Sequence, residues 1–394
     1  MMKTELYNRK TDCCGCGACA NICPKNLIEM HPDSEGFLYP QIKNHDMCIG
    51  CGKCEKVCPV QHADEIRSQF DEAWAGWCSD GSGVHSASGG AAYAIAMNSI
   101  ANGGIVYGVR YADDYKSAEY MRCESDDDIR ALRSSKYIQS RKNDVYKQIK
   151  ADLDAGKNVL FFGLPCDTFA IKRYIGSSLG GLVTVSLICH GPTSEKVHKS
   201  FCETVEKKYG SEVNSINVRY KKNGQWKPYY IYACLKNGKK YLKKFQATDY
   251  DVAFQNFKRP SCTDCRFRKD HYSADLLIGD FHSAQKGTES YNSSGVSSIL
   301  PLTDVGRDIL RQIQNTFTLY KVDLKSSTSQ RGIHSSVKSS IDRVAFAEAL
   351  NEKGLHAACQ NSDVVAEKRK KQRQRAVHSV KKIIYKILKF FKFV

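Results

Sequence analysis

The chain of 394 residues has no uncharged apolar run long enough to cross a bilayer, which excludes a membrane-spanning helix on sequence grounds. Its first residues, MMKTELYNRKTDCC, lack the apolar segment of a signal peptide, so no secretory signal is expected. The glycine-rich turn at 79–90 lacks a Gly-x-Gly-x-x-Gly, which removes a Rossmann dinucleotide site there. No Ser–His–Asp set or paired carboxylate site supports a hydrolase. Nor is positive charge spread over the body. The net charge is +17, but residues Glu367–Val394 hold eleven Lys or Arg and one Glu, a net of +10 that leaves only +7 elsewhere. The basic balance belongs to a tail, and no nucleic-acid partner is expected for the body.

Cysteine, by contrast, is abundant. Eighteen are present without an export signal, so a reducing cytoplasm is expected, with the thiols serving as metal ligands or buried side chains. Cys13, Cys16, Cys19 and Cys23 follow C-x2-C-x2-C-x3-C and precede Pro24; Cys48, Cys51, Cys54 and Cys58 repeat the spacing before Pro59. This is the bacterial dicluster ferredoxin run, in which the fourth cysteine of each run ligates the other cluster. The expected 4Fe–4S sets are therefore Cys13, Cys16, Cys19 and Cys58 for one, and Cys48, Cys51, Cys54 and Cys23 for the other. Zinc sites and disulfides fit less well, because neither explains a triplet followed by a distant Cys-Pro. Gly15, Gly17, Gly50 and Gly52 would let the backbone curl around each cluster.

With 42% hydrophobic residues the chain can bury a core, and its length allows two or three domains. The segment around Glu35–Pro40, between the runs, reads as a short hairpin or loop. A strand at 73–78 leads through Gly81, Gly83, Gly89 and Gly90 into a helix at 91–101. Such a turn is either an anion site at a helix N-terminus or a plain tight βα turn. Residues 126–155 read as two helices, capped by Ser125 or Asp126 and stopped by Gly156. Apolar strands at 159–162 and 182–188, each followed by a helix, predict a parallel sheet. Cys166 and Cys189 then lie just past the C-terminal ends of two strands, the edge where open α/β sheets bind ligands. Two Asn-Gly turns within 213–246 predict an antiparallel meander. Cys262 and Cys265 follow in C-x2-C spacing, then a strand at 274–278, a Ser- and Gly-rich loop at 283–298 and helices to about 359. Spacing alone leaves two options for Cys166, Cys189, Cys262 and Cys265: a shared metal centre, or half a zinc site plus two buried thiols. Cys14, Cys78, Cys123, Cys202, Cys234 and Cys359 read as buried or incidental thiols. His190 is either a proton donor or a packed residue at a strand end.

SASGGAAYAIAMNSIANGGIVYGV, SSKYIQS, GLPCDTFAIKRY, LICHGPTS and RPSCTDCRFRKDHYSADLLIGDF occur in this order. Over about 70–335 the chain thus resembles the coenzyme F-420 hydrogenase/dehydrogenase beta-subunit family, which includes 7-hydroxymethyl chlorophyll a reductase-like proteins. The resemblance implies FAD beside an iron–sulfur cluster. It implies that Cys166, Cys189, Cys262 and Cys265 hold that third 4Fe–4S cluster, and that Ser88, Gly89, Gly90, Lys136 and Asp280 lie near the flavin or the substrate. The expected fold is α+β: a dicluster ferredoxin-like module (1–65), then an α/β flavin domain with a parallel sheet and an antiparallel meander (70–155 and 156–335), a helical extension (336–365) and a basic amphipathic tail (366–394). The expected function is an iron–sulfur flavoprotein oxidoreductase passing electrons between a ferredoxin or another redox protein and an organic two-electron acceptor. The alternative is a non-autonomous electron-transfer subunit docked on a separate hydrogenase or dehydrogenase. Relatives of this kind often accompany surface-polysaccharide synthesis, which makes a sugar-linked substrate one option. In the tail, Val377, Val380, Ile384, Ile387 or Leu388 and Phe391 recur at helical spacing among lysines, so a peripheral contact with the inner face of the membrane is expected.

Overall fold

The computed structural model describes residues 5–176, 180–335, 341–361 and 363–370, and a few single positions of the tail, Val377, Val380 and Ile384 among them. The remainder of the basic tail lies outside the described residues.

The two cysteine runs flank a hairpin of β1 (Ile28–Pro32) and β2 (Leu38–Ile42), paired antiparallel from Ile28 opposite Ile42 to Pro32 opposite Leu38. Each run bends at the same places. Gly15, Gly17, Gly50 and Gly52 have φ of +71°, +73°, +62° and +67°, left-handed values that glycine adopts without strain. Short helices Ala18–Ile22 and Lys53–Lys56 follow.

The body is built on one sheet of eight strands. In chain order these are β3 (Ala73–Cys78), β4 (Ile105–Tyr111), β5 (Ala118–Cys123), β6 (Val159–Gly163), β7 (Leu182–Leu187), then, after a separate meander of β8 (Val213–Tyr220), β9 (Tyr230–Leu235) and β10 (Lys240–Lys244), β11 (Leu276–Asp280), β12 (Ser297–Pro301) and β13 (Phe317–Val322). The sheet order is β13-β3-β12-β11-β7-β6-β4-β5. Its centre, β4, β6, β7 and β11, is parallel, and β5, β12, β3 and β13 extend it antiparallel. Every residue of β6 is buried, as a strand covered on both faces requires. Helix Ala91–Ala101 packs on one face with Val106, Leu160 and Ile299. Helices Val145–Asp154 and Pro165–Ile175 cover the other, and Cys16, Ala18 and Val57 of the N-terminal module join that same core. The meander forms its own core with helices Glu195–Tyr209, Asp249–Asn256 and Arg343–Cys359, into which Phe37 and Tyr39 insert.

The expected parallel sheet and meander are both present, and three strands add to them. β5 precedes the first of the helices expected over 126–155, and residues 133–144 between those helices are irregular, with isolated bridges at Ile138 and Arg141. The Ser- and Gly-rich loop ends at β12, and β13 lies where helices were expected. β5 and β13 are edge strands, each half-buried along most of its length. Their alternation is therefore weak in sequence, and their pairing with β4 and β3 decides their form.

Candidate functional site

The outer cysteine set sits at the surface of the N-terminal module. Cys23, Cys48, Cys51 and Cys54 line one small cavity of about 30 Å³ together with Pro24, Ile28 and Ile42. Cys23, the last of its own run, thus faces the triplet of the second run. The Leu27 amide donates to Cys23 Sγ at 3.4 Å. Cys51 is exposed, as are Met47 and Ile49 beside it, at 58% and 61%.

The reciprocal set lies deeper. Cys19 is within electrostatic reach of Cys13 and Cys58, and Cys16 of Cys19 and Cys58. Burial first, and then neighbouring thiols, push the Cys19 thiol up. Crowded buried thiols resist ionising one by one, whereas a bound metal deprotonates them outright. This donor chemistry fits iron–sulfur clusters. Among the described residues no three His, Cys, Asp or Glu groups converge tightly enough for a single metal ion. A cubane is larger than an ion and holds its four thiolates farther apart.

The body set comes together at the C-terminal edge of the sheet. β6 and β7 are adjacent and parallel, so the residues just past their ends are neighbours. Cys166 enters on the first turn of helix Pro165–Ile175, and Cys189 follows β7. Cys262 closes the turn Pro260–Cys262, and Cys265 comes three residues later. All four line a cavity of about 220 Å³. The Gly191 amide donates to Cys189 Sγ at 3.2 Å, and a Cβ on Gly191 would stand 2.9 Å from Cys262 Cβ, so this glycine admits the close approach of the two segments. Cations surround the set. Lys258 Nζ donates to the Gly191 carbonyl at 3.0 Å. Burial pulls the Lys258 ammonium down to about 8, and Cys262 and Cys189 oppose the fall. Arg268 donates to the carbonyls of Arg331 and Ser335. Burial pulls the His190 imidazole down to about 4, which leaves it neutral near pH 7.

Two residues that spacing alone did not single out join this edge to the N-terminal module. Arg259, 1% exposed, donates from Nε to the Cys13 carbonyl at 2.9 Å and from Nη1 to the Leu38 carbonyl at 3.0 Å, with Nη2 3.6 Å from Cys13 Sγ. Cys14, expected to be incidental, lines the same cavity as the four body cysteines and packs with Cys58, Cys166 and Cys265 against Val60, Phe169 and Phe267. Its place beside Cys13 in a cysteine doublet was the available signal. Arg259 had one too, standing directly before Pro260 and the C-x2-C.

The residues expected near a flavin fall in two places. Asp280, at the end of β11, pairs with Arg219 of β8 at 2.8 Å; Arg219 also donates to the Ala87 carbonyl at 3.0 Å and to Tyr137 Oη at 2.8 Å. Burial alone would push the Asp280 carboxyl up, and the charges of Arg219, His282 and Lys227 hold it below its ordinary value. Lys221 Nζ donates to the carbonyls of Gly83 and Ser88 at 2.7 and 2.6 Å. Asp280 and the 81–90 turn are thus joined through two cations of the meander. Buried Arg219 Nε has no partner among the described residues, as a cation awaiting an anionic group would. That cationic wall fits a pyrophosphate. Packing accounts for the glycines themselves: a Cβ at Gly89 would lie 2.2 Å from the Gly76 carbonyl oxygen, and one at Gly90, φ +95°, 2.5 Å from Cys78 Sγ. Ser88 Oγ donates to the Val296 carbonyl at 2.6 Å. Lys136 stands apart. Its ammonium caps helix Asp126–Leu132, donating to the carbonyls of Leu132 and Arg133 at 2.8 and 3.0 Å, and burial pulls it down to about 7.

Residues 12–62 match the 4Fe-4S dicluster domain, and residues 156–326 match the family described as the C terminus of the coenzyme F420 hydrogenase/dehydrogenase beta subunit. No curated protein matches the chain. Among solved structures, a chain of the F420-reducing [NiFe] hydrogenase complex from Methanosarcina barkeri is similar at 16% identity and a TM-score of 0.46, over 74% of this chain and 91% of that one. A match to the 4Fe–4S dicluster domain, which supports two iron–sulfur clusters, is thus followed in the same chain by a match to the C terminus of the coenzyme F420 hydrogenase/dehydrogenase beta subunit, and the two together support an iron–sulfur electron-transfer oxidoreductase subunit.

Proposed function

We propose that the chain exchanges electrons between a one-electron carrier protein, a ferredoxin or another redox protein, and an organic two-electron acceptor. The observation that best supports this is the meeting of two cysteine sets at one junction, where Cys58 of the inner set packs in the same small apolar cluster as Cys166 and Cys265 of the body set. In this reading Cys48, Cys51, Cys54 and Cys23 hold an outer 4Fe–4S cluster, Cys13, Cys16, Cys19 and Cys58 an inner one, and the body cysteines a third. Bound clusters would supply one-electron carriage, and bound FAD the conversion to two-electron chemistry. Lys258, Arg259 and Arg268 offset the negative charge of the body thiolates. Arg219, Lys221 and Lys227 form the cationic wall for the FAD pyrophosphate, with Asp280 orienting Arg219, while Lys136 holds the end of a helix. The exposed Met47 and Ile49 beside Cys51 support the second reading, a subunit that works docked on another redox protein. The tail at 366–394 is proposed as a peripheral membrane contact.

Anaerobic reconstitution tests the assignment. The wild-type chain should bind about twelve irons and one FAD, and Cys262→Ser with Cys265→Ser should lower the iron to about eight. Iron near eight in both proteins would remove the third cluster. A chain that takes up no FAD would remove the flavin. Turnover of an acceptor with reduced dye by the isolated chain favours the autonomous enzyme, and turnover only with an added partner favours the docked subunit.

A further inference from the structure

We infer that the open face and free edge of the β8–β10 meander form an interaction surface for an anionic lipid leaflet, where Lys222, Lys239, Lys240, Lys243 and Lys244 act beside the tail as a second attachment. The inference goes beyond the proposed tail contact and rests on it for anchorage. Three observations carry it. First, charge is sorted. Residues 213–248 hold eight Lys, one Arg and no Asp or Glu. The chain outside the tail carries +7 and this stretch alone +9, so the rest of the body carries −2. Arg219, Lys221 and Lys227 belong to the wall around Asp280, and Lys236 pairs with Glu212. The five lysines named above are exposed and have no ion pair among the described residues.

Second, the sheet has one covered face. Ile231, Ala233 and Leu235 of β9 are buried in the core shared with helices Glu195–Tyr209, Asp249–Asn256 and Arg343–Cys359, and Tyr241 of β10 packs against it. Alternate residues of a strand lie on opposite faces. The register sets Lys240, Leu242 and Lys244 opposite Cys234, Tyr232 and Tyr230. Leu242 is 41% exposed, and Tyr232 stacks on Tyr220 of β8 with ring centroids 4.6 Å apart. β10 is the last strand of its sheet, so its outer edge is unpaired. Third, Val364 is buried in that same core and residues 363–370 are helical, so the basic tail leaves from the lobe that carries this face.

Tyrosine rings and lysine stems suit the boundary of a bilayer, with their apolar parts among the headgroups and their polar tips in water. Lysines on an edge strand also keep it from pairing with another sheet. Charge of either sign serves that purpose, so it does not explain why every carboxylate is missing over 213–248. Nor does it reach Lys222, which lies off the edge with its Nζ 5.6 Å from the Tyr230 ring centroid. An acidic protein would match the charge as well. The leaflet is favoured because a tail of the same sign, with its own apolar stripe, starts from this lobe. A single weak attachment gives marginal membrane binding, and stable binding takes two.

The test is sedimentation of full-length protein with vesicles of phosphatidylglycerol and phosphatidylcholine in equal parts at low salt. Wild type is compared with the fourfold variant Lys239→Gln, Lys240→Gln, Lys243→Gln and Lys244→Gln, and with Arg at the same four positions. A control removes the same charge elsewhere, at exposed Lys157, Lys286, Lys325 and Lys353, also by Gln. The meander Gln variant should partition at least about tenfold more weakly, while the Arg variant and the control stay within about threefold of wild type. Iron content and circular dichroism should not change, since all four side chains are exposed. A meander variant that partitions like wild type overturns the inference and leaves the tail contact standing. The same holds if that variant instead loses affinity for an acidic ferredoxin, which would give the face to a protein. An equal loss in the control also overturns it, because net charge and not this face would be responsible. Wild-type protein that stays in the supernatant removes the tail contact and this inference together.

Discussion

Lys142 and Asp167 show what holds the cysteine edge in shape. Their side chains are 5% and 2% exposed and meet at 3.1 Å, inside the wall of the larger cavity. Lys142 comes from the irregular 133–144 segment, and Asp167 follows Cys166 on the first turn of helix Pro165–Ile175. The pair therefore ties the segment that touches the ferredoxin module to the helix that presents a proposed ligand. Lys142 also donates to Ser140 Oγ at 3.0 Å, and Tyr120 Oη reaches the carboxylate at 3.4 Å. Breaking a buried pair leaves an uncompensated charge, which costs about 3–5 kcal/mol, whereas replacing both partners with apolar groups is often neutral. Asp167→Ala should thus lower the stability of the protein by about 3–5 kcal/mol in anaerobic urea unfolding, and Lys142→Met with Asp167→Leu should recover most of the loss. Equal losses in the single and double variants would show that packing, not charge, holds this contact. Neither residue could be paired from sequence, since they are 25 positions apart and no spacing rule joins them.

At the scale of elements, legibility follows how local the cause is. The paired cysteine runs, their glycines and the 91–101 helix depend on neighbours in sequence, and each lies where the sequence places it. Cys166 and Cys189 were legible because a parallel strand followed by a helix puts its next residue at the sheet edge. β5 and β13 were not, because their form depends on partners far along the chain. The place of Cys14 was missed for a related reason: the cavity it lines is built with Cys166, 152 positions away. The tail extends this reasoning to a surface. Val377, Val380 and Ile384 share one helical stripe and are 55%, 54% and 50% exposed, so they do not pack on the body. Each nearby Lys or Arg can add about 1 kcal/mol of attraction to an anionic leaflet. Full-length protein should therefore sediment with anionic liposomes at low salt. Truncation after Ala366 should abolish that without changing iron content. Full-length protein that stays in the supernatant would exclude the membrane contact.

For the whole molecule, the ferredoxin module behaves less as an appended domain than as a wall of the body. Its Cys16 carbonyl accepts from buried Tyr146 Oη at 2.9 Å, and its Asn21 donates to the Asn143 carbonyl at 2.8 Å. Arg173 on the sheet-covering helix donates to the Lys56 carbonyl and pairs with Glu65. Arg259 is held by the carbonyls of Cys13 and Leu38, both in the module, and by Gln139 Oε1 of the body, so separating the two parts would break buried hydrogen bonds of a charged donor. Hydrogen bonds to charged groups are worth more than neutral ones. Module and body should accordingly unfold together. In Cys262→Ser with Cys265→Ser protein reconstituted and held anaerobically at fixed urea, cluster absorbance reports on the module's clusters and far-ultraviolet circular dichroism chiefly on the body. Both should decay with one rate constant. Arg259→Met orphans two buried carbonyls, at about 1–3 kcal/mol each, and should accelerate the two signals by the same factor. The iron–sulfur absorbance of a self-sufficient module would instead persist after the helical signal had gone, and in Arg259→Met only the helical signal would decay faster. That pattern would return the N-terminal clusters to an independent domain and leave the junction at Cys14 and Arg259 as a contact between two separately folded parts.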